Sequence, residues 1–448
     1  MRVSNNKRIS NKLDAANKAV ANLENKNNPK TGDEKVDKND TTETGKKTTE
    51  ADEKKDGKSD NKNTRKRHRV PFKEFIKPLI TPYWVTVAVL IFLIFIFSIM
   101  IKSTAFCNAF TAKVLPIFLN TYGRFTNLFS FSFGEVLLSL VVPILLAVVI
   151  MLILMIFLRK NPIFAKINRV FFKSFFMIFL SVCLIMILNC SIPYGCSELE
   201  VKKNDKNYSV EQLEILRNYI VEQCNDYSEK FDRDDKGEII YNTSVKDITK
   251  EAKASMHRVS KEYDFPRLAG YYPNMKPIRH SVLMSQAGTM GIFFPFSLES
   301  NYNPLMSKLN FPATFCHEYS HLKGYMQEDE ANFIAYLACL GSEDLYFQYS
   351  AYLSVLHYVD NEYYKNVDKA HYEKQIPISE NASRDSDFLT ESATEKVEKE
   401  AVIDTKTVSE ASNKFTESYL DYYDVKDGLA NYDRVTDLLL QFYDGKLY

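Results

Sequence analysis

The chain has 448 residues, with 57 Lys+Arg against 57 Asp+Glu and a hydrophobic share of 45%. A net charge of zero excludes a nucleic-acid binder held by bulk charge. The averages hide three unlike stretches.

Residues 1–68 consist almost wholly of Lys, Asn, Asp, Glu, Thr and Ser. Such a stretch buries too little apolar surface to offset the entropy of ordering, so a disordered polar tail is expected. It has no apolar h-region near its start, and so reads as lacking a cleavable signal peptide.

Residues 69–196 form the expected membrane domain, with three uncharged apolar runs near 83–101, 136–158 and 174–192. A bilayer crossing takes about 20 apolar residues. Tyr83 and Trp84 are placed like an interfacial belt, and Pro143 is expected as a tolerated membrane proline. Arg65, Lys66, Arg67, Arg69, Lys73 and Lys77 precede the first run, and Arg159, Lys160, Lys166, Arg169 and Lys173 lie between the second and third. The loop between the first two has only Lys102, Lys113 and Arg124. The positive-inside rule then puts the N-terminus in the cytoplasm, and three crossings put everything after Ile192 outside the plasma membrane.

Residues 197–448, about 250 in number, suffice for one substantial core. Leu213, Leu216, Ile220 and Cys224 mark an amphipathic helix, and a second is expected over 244–263. The stretch 276–303 reads as two short strands joined by a turn around Gly288, one of them ending at GIFFPF. An acidic, Ser/Thr-rich stretch near 376–407 is expected as a flexible insertion. Val435, Leu438, Leu439 and Phe442 form a terminal helical stripe. The expected fold is thus a multi-pass membrane protein with an α+β, mainly helical, extracytoplasmic domain.

The chemistry lies in FPATFCHEYSHLKG, residues 311–324. Pro312 suits the first turn of a helix and Gly324 its left-handed end. His317 and His321, four apart, project from one helical face and can share a metal ion. Glu318 is positioned to take a proton from water held by that metal. This is H-E-x-x-H, the zincin signature, and it implies one catalytic Zn2+. A catalytic zinc takes three protein ligands and keeps a position open. The following segment offers Glu328 and Glu330.

Glu328-Asp-Glu-Ala-Asn332 resembles the E-x-x-A-N pattern of gluzincin helices. The resemblance implies Glu328 as third ligand and Asn332 as the residue supporting a ligand from behind. Glu330 is the reserve. His321-x-x-Gly324 also resembles the start of a metzincin motif, but that family's third ligand would fall at Gln327, a poor zinc ligand. The three apolar runs, GIFFPFSLESNYN, HEYSHLKGYMQEDEANFIAYLAC and GLANYDRVTDLLLQFY together resemble a bacterial family of membrane proteins of unknown function with a zinc-peptidase motif. That resemblance implies a membrane-anchored, gluzincin-like metallopeptidase, and the motif leads to the expectation of a peptide or protein substrate.

The strand Gly291–Phe296, with Gly291 and Phe293, is expected to receive an extended peptide by edge pairing. Glu299, Asn301 and Asn303 either line the cleft or form a polar turn. His280, His357, Tyr325, Tyr432 and Arg434 are candidates for stabilising an oxyanion, and the sequence does not choose among them. Cys196 and Cys224 can pair in an oxidising compartment, whereas Cys316 and Cys339 read as packing residues. Two rival functions remain: a receptor or sensor with a structural zinc, and an amidase acting on cell-wall peptides.

Overall fold

The computed structural model describes residues 81–199, 207–422 and 434–448. The polar tail, the basic cluster before the first apolar run and Tyr432 lie outside the described residues.

Among the described residues, three helices are long and apolar enough to cross a membrane: Pro82–Met100, Phe133–Leu158 and Pro162–Tyr194. The first, α1 (Pro82–Met100), begins with Pro82 where no N–H is needed, and the Thr81 hydroxyl caps it. A short amphipathic helix, α2 (Thr104–Lys113), follows. The second apolar helix is interrupted at Leu140, giving α3 (Phe133–Ser139) and α4 (Val141–Leu158). Pro143 explains the break, because it lacks the N–H that would bond the carbonyl of Ser139 four residues back.

The third apolar helix starts at Pro162 rather than near residue 174, as α5 (Pro162–Met186). Asn161 accepts the N–H groups of Ile163 and Phe164 at 2.9 and 3.2 Å. Lys166, Arg169 and Lys173, expected in a loop, therefore sit on the helix. Lys173 marks the level at which the charged turns end: its ammonium lies 4.6 Å from the Tyr83 ring, and its carbonyl accepts the Tyr83 hydroxyl at 3.1 Å.

The remainder is mainly helical. α6 (Val210–Ser228) opens with a reciprocal cap between Ser209 and Gln212, and α7 (Val245–Glu262) follows. A small sheet comes next, with β1 (Lys276–Pro277), β2 (Gly291–Phe294) and β3 (Glu299–Tyr302) in the order β1-β3-β2. Between β1 and β2 lies a helix, α8 (Ser281–Gln286), where a strand was expected; Gly288, at φ 68°, ends that helix rather than turning a hairpin. The hairpin turn is at 295–298 instead.

α9 (Phe311–Leu322), α10 (Glu328–Leu340) and α11 (Leu345–Asn366) form the centre of the domain, closed by α15 (Arg434–Tyr443). They share one apolar core with α6, α7 and the sheet, and Phe315, Tyr319, Phe333 and Tyr336 are buried completely.

The acidic stretch 376–407 contains helices rather than a flexible insertion: α12 (Glu380–Asp385), α13 (Glu391–Glu400) and the start of α14 (Thr405–Tyr422). Ser379 and Thr390 cap the first two through their hydroxyls. Asp385 holds α12 down, taking Arg233 at 2.6 Å and the Tyr349 hydroxyl at 2.7 Å. In this ion pair Asp385 is buried and Arg233 half-buried, and the two are 152 residues apart.

The domain is fastened to one end of the apolar helices. Glu299, at the end of the hairpin turn, accepts the N–H groups of Phe133 and Gly134, the first residues of α3, at 3.2 and 2.7 Å. Glu135, one residue on, reciprocates by accepting the N–H groups of Arg279 and His280 ahead of α8. Asn189, near the end of the third apolar helix, donates to the carbonyl of Pro295 at 2.8 Å.

Candidate metal centre and catalytic site

The site is built on two helices and a turn. α9 ends in a left-handed glycine: Gly324 has φ 85°, its N–H bonds the carbonyl of His321 at 2.9 Å, and the N–H of Tyr325 bonds that of Ser320 at 3.0 Å. This pair of bonds is the Schellman closure. A Cβ at Gly324 would also collide with Thr111 of α2. The turn brings the Tyr325 carbonyl back to the helix, where it lies 2.8 Å from His321 Nδ1. That contact fixes the ring, assigns the proton to Nδ1 and frees Nε2 to act as a ligand.

Three residues after Tyr325, α10 begins at Glu328, whose carboxylate meets both imidazoles. Its oxygens lie 3.2 Å from His317 Nε2 and 3.5 Å from His321 Nε2. Ligand-capable atoms of His317, His321 and Glu328 all fall within 4.8 Å of one another. Two imidazole nitrogens and a carboxylate oxygen at this spacing fit a divalent metal such as zinc. His317 is 17% and Glu328 23% exposed, so the cluster opens on one side.

The charges are mutually adjusted. Burial disfavours a proton on His321, but Glu328, with Glu318 and the Tyr325 carbonyl, outweighs it and holds the imidazole up to about 9. Burial also works against charge on Glu328, yet the two imidazoles bring its pKa well below the usual carboxylate range. The cluster therefore favours a carboxylate beside positive charge, as a metal ion would supply.

Glu318 lies beside this cluster and is 3% exposed, with Oε2 lacking a hydrogen-bond partner among the described residues. Burial pushes it up to about 7, against the pull of His317 and His321. A carboxyl held near neutrality without a fixed partner is suited to taking and returning a proton. Its other oxygen faces the backbone of Gly291, where a Cβ would collide with it.

β2 is the outer strand of the sheet and bonds only to β3 among the described residues. The bond from Asn303 N–H to the Met290 carbonyl sets the antiparallel alternation, and Ile292 opposite Asn301 continues it. Gly291 and Phe293 then turn their N–H and C=O groups to the open side. Of the two positions expected to bind substrate, neither has a strand partner on that side among the described residues, and Gly291 lies beside Glu318.

Several other expectations are corrected. Glu299, Asn301 and Asn303 do not line the cleft, since all three are fully buried. Glu299 pairs with Lys276 and caps α3, Asn301 donates to the Ile292 carbonyl at 3.1 Å, and Asn303 donates to Ser285 at 2.8 Å. Glu330 points away from the imidazoles and accepts the Leu199 N–H. Asn332 has its Nδ2 buried with no partner among the described residues and makes no hydrogen bond to His317, His321 or Glu328.

None of the oxyanion candidates among the described residues meets the cluster with a free polar group. His280 bonds Glu135 at 2.7 Å, His357 contacts Asn361 at 2.9 Å, and Arg434 lies 3.2 Å from Asp329. Tyr325 is buried under Arg267, and its contribution is its carbonyl rather than its hydroxyl. Sequence reasoning missed that role, although the H-x-x-G spacing carries its signal. All seven cysteines are free. Cys224 is in the main core while Cys196 packs near Cys107, so the pairing left open by the sequence does not form. Cys316 and Cys339 pack together at 3.8 Å between α9 and α10, as expected.

These features define a mainly helical protein with three apolar helices and an open His/His/Glu cluster at the edge of a small sheet. The chain belongs to the DUF3810 family, described as a protein of unknown function, whose model matches residues 110–440. No curated protein and no solved structure matches it.

Proposed function

We propose that this protein is a membrane-anchored zinc metallopeptidase with its site on the outer face of the bacterial plasma membrane. The observation that carries the reading is the convergence of His317 Nε2, His321 Nε2 and the Glu328 carboxylate beside the buried, unpartnered Glu318. Zinc held there supplies a Lewis acid that polarises a carbonyl and acidifies water. β2 holds the substrate backbone at Gly291 and Phe293 as an added strand. Glu318 takes a proton from the attacking water, whose oxygen bonds the carbonyl carbon, and returns it to the amine nitrogen as the C–N bond breaks.

Clustered charge supports the orientation. Arg159, Lys160, Lys166, Arg169 and Lys173 gather towards one end of the apolar helices, and the domain is fastened to the other. The open, partly exposed cluster favours catalysis over a purely structural ion, whose fourth position would be closed by protein.

The test is hydrolysis of a disordered protein such as casein by the purified full chain. Activity should vanish with a chelator and return with zinc, and Glu318→Gln should keep zinc while losing about 10²–10⁴-fold in rate. Chelator-insensitive turnover, or full activity in Glu318→Gln, would overturn the mechanism. Stoichiometric zinc with no turnover would favour the sensor reading.

A further inference from the structure

The hairpin beside the proposed site is tied to the ends of the apolar helices by short connections. The Phe294 end of β2 lies against Gly134 in the first turn of the second apolar helix, where any Cβ would collide with the Phe294 ring. The Gly291 end of the same strand faces Glu318. Between them are three residue steps, about 10 Å at strand rise. The hairpin turn beyond Phe294 is fixed by Thr126, which donates to the Ser297 carbonyl at 3.0 Å, and by Asn189 on the third apolar helix.

The surroundings of that end are apolar and exposed. Ile117, Phe125 and Leu128, in the connection between the first two apolar helices, are 59%, 48% and 79% exposed. Phe125, Phe129 and Phe133 form an aromatic column leading into α3, with centroid separations of 5.6 and 5.5 Å. The connection is docked on the domain, since Asn127 accepts the Asn274 N–H at 2.8 Å and Arg124 stacks 4.0 Å from the Tyr271 ring. Apolar side chains at this level of a membrane protein rest in the lipid interface.

From this we infer that the substrate is the juxtamembrane stretch of a membrane-anchored polypeptide, drawn out as a strand along β2 where it leaves the bilayer. The inference rests on the metallopeptidase reading and names the substrate class of that same site. A strand laid on β2 runs from the catalytic carboxylate to the first turn of α3 within a few residues. A chain emerging beside Phe133 therefore meets the site almost at once, whereas a freely diffusing peptide must find a strand edge hemmed in by lipid on one side. The rigid ties at Glu299, Glu135, Thr126 and Asn189 leave the cleft no means of standing off from the surface.

The test uses the full chain, loaded with zinc, in phosphatidylcholine vesicles. The probe is a disordered polypeptide of mixed sequence, about 60 residues and roughly 200 Å when extended, fused to a single apolar helix so that it leaves the bilayer on the side of the site. The same polypeptide without the helix is supplied free at equal concentration, and cut positions are mapped by mass spectrometry. Cuts in the tethered probe should fall within about ten residues of the bilayer. The tethered probe should also be consumed at least about 10-fold faster than the free one, while Glu318→Gln cuts neither.

Tethering alone raises the local concentration, so the positions of the cuts decide the matter. Cuts spread evenly along the tethered probe, or a free probe consumed equally fast, would overturn the substrate class while leaving the peptidase intact. No cut in either probe would remove the metallopeptidase reading, and this inference with it.

Discussion

The helix pair α9/α10 and the hairpin β2/β3 face the same point, yet they use their polar residues in opposite ways. On the helices, His317, His321 and Glu328 send side chains to one shared, partly exposed position. On the hairpin, Glu299, Asn301 and Asn303 turn theirs into the fold, and the open side is left to the backbone of Gly291 and Phe293. A helix gathers side chains every third or fourth residue onto one face. A strand beside a cleft offers its unpaired N–H and C=O groups, so its polar side chains are free to bolt the hairpin to the apolar helices.

The strongest way to break this contrast is to remove a convergent side chain. His317→Ala or His321→Ala should lose zinc altogether, and turnover with it, as read by metal analysis of the purified variants. A variant that kept stoichiometric zinc would mean that the cluster is not the metal centre. Gly291→Ala tests the opposite claim for the hairpin. Its methyl group would displace Glu318, so activity should fall about 100-fold with zinc retained. Normal turnover in that variant would separate β2 from the chemistry.

The ligand helix can be sharpened by ranking three variants in a zinc competition titration. Glu328→Gln should weaken binding most, while Asn332→Ala and Glu330→Gln, whose side chains meet neither imidazole, should leave it nearly unchanged. Two residues apart on one helix, Glu328 and Glu330 point about 200° from each other, and only the first meets the imidazoles. If Glu330→Gln proved the weakest binder, the register of α10 would be misread.

The smallest effect on catalysis belongs to the hairpin ties. Glu299→Gln should cost about 3–5 kcal/mol of stability by leaving Lys276 buried beside a neutral partner. Asn303→Ala should cost about 1–3 kcal/mol. Denaturant melts should register both losses while KM stays put in whatever protein remains folded. A large rise in KM at full stability would return these residues to the cleft.

How much was legible in the sequence follows from where each contact lies. His317, Glu318 and His321 declare themselves within five residues, because one helical turn brings them together. Glu328 was reachable through its likeness to a gluzincin helix and the glycine turn that precedes it. Glu299 was misread because its partners, Lys276, Phe133 and Gly134, include two residues far back in the chain. The helix at 281–286 was hidden for a similar reason. It has no side-chain cap of its own, and Glu135 from the apolar helix supplies the acceptor just ahead of it.

Two other misreadings had local signals that composition overrode. Asn161-Pro162 is a ready helix start, but the basic residues after it suggested a loop. Ser379 and Thr390 are helix caps inside a stretch whose acidity suggested flexibility, and the anchoring pair of Asp385 with Arg233 spans too much sequence to be seen.

The central claim is that two imidazoles and one carboxylate hold a single zinc with a position left open. The most direct measurement is zinc analysis of the purified full chain together with X-ray absorption at the zinc edge. About one zinc per chain is expected, with two imidazole nitrogens near 2.0–2.1 Å, oxygen donors near 2.0–2.2 Å and no sulfur. Absence of zinc after growth in zinc-replete medium, or sulfur at about 2.3 Å from a thiolate such as Cys316, would contradict it.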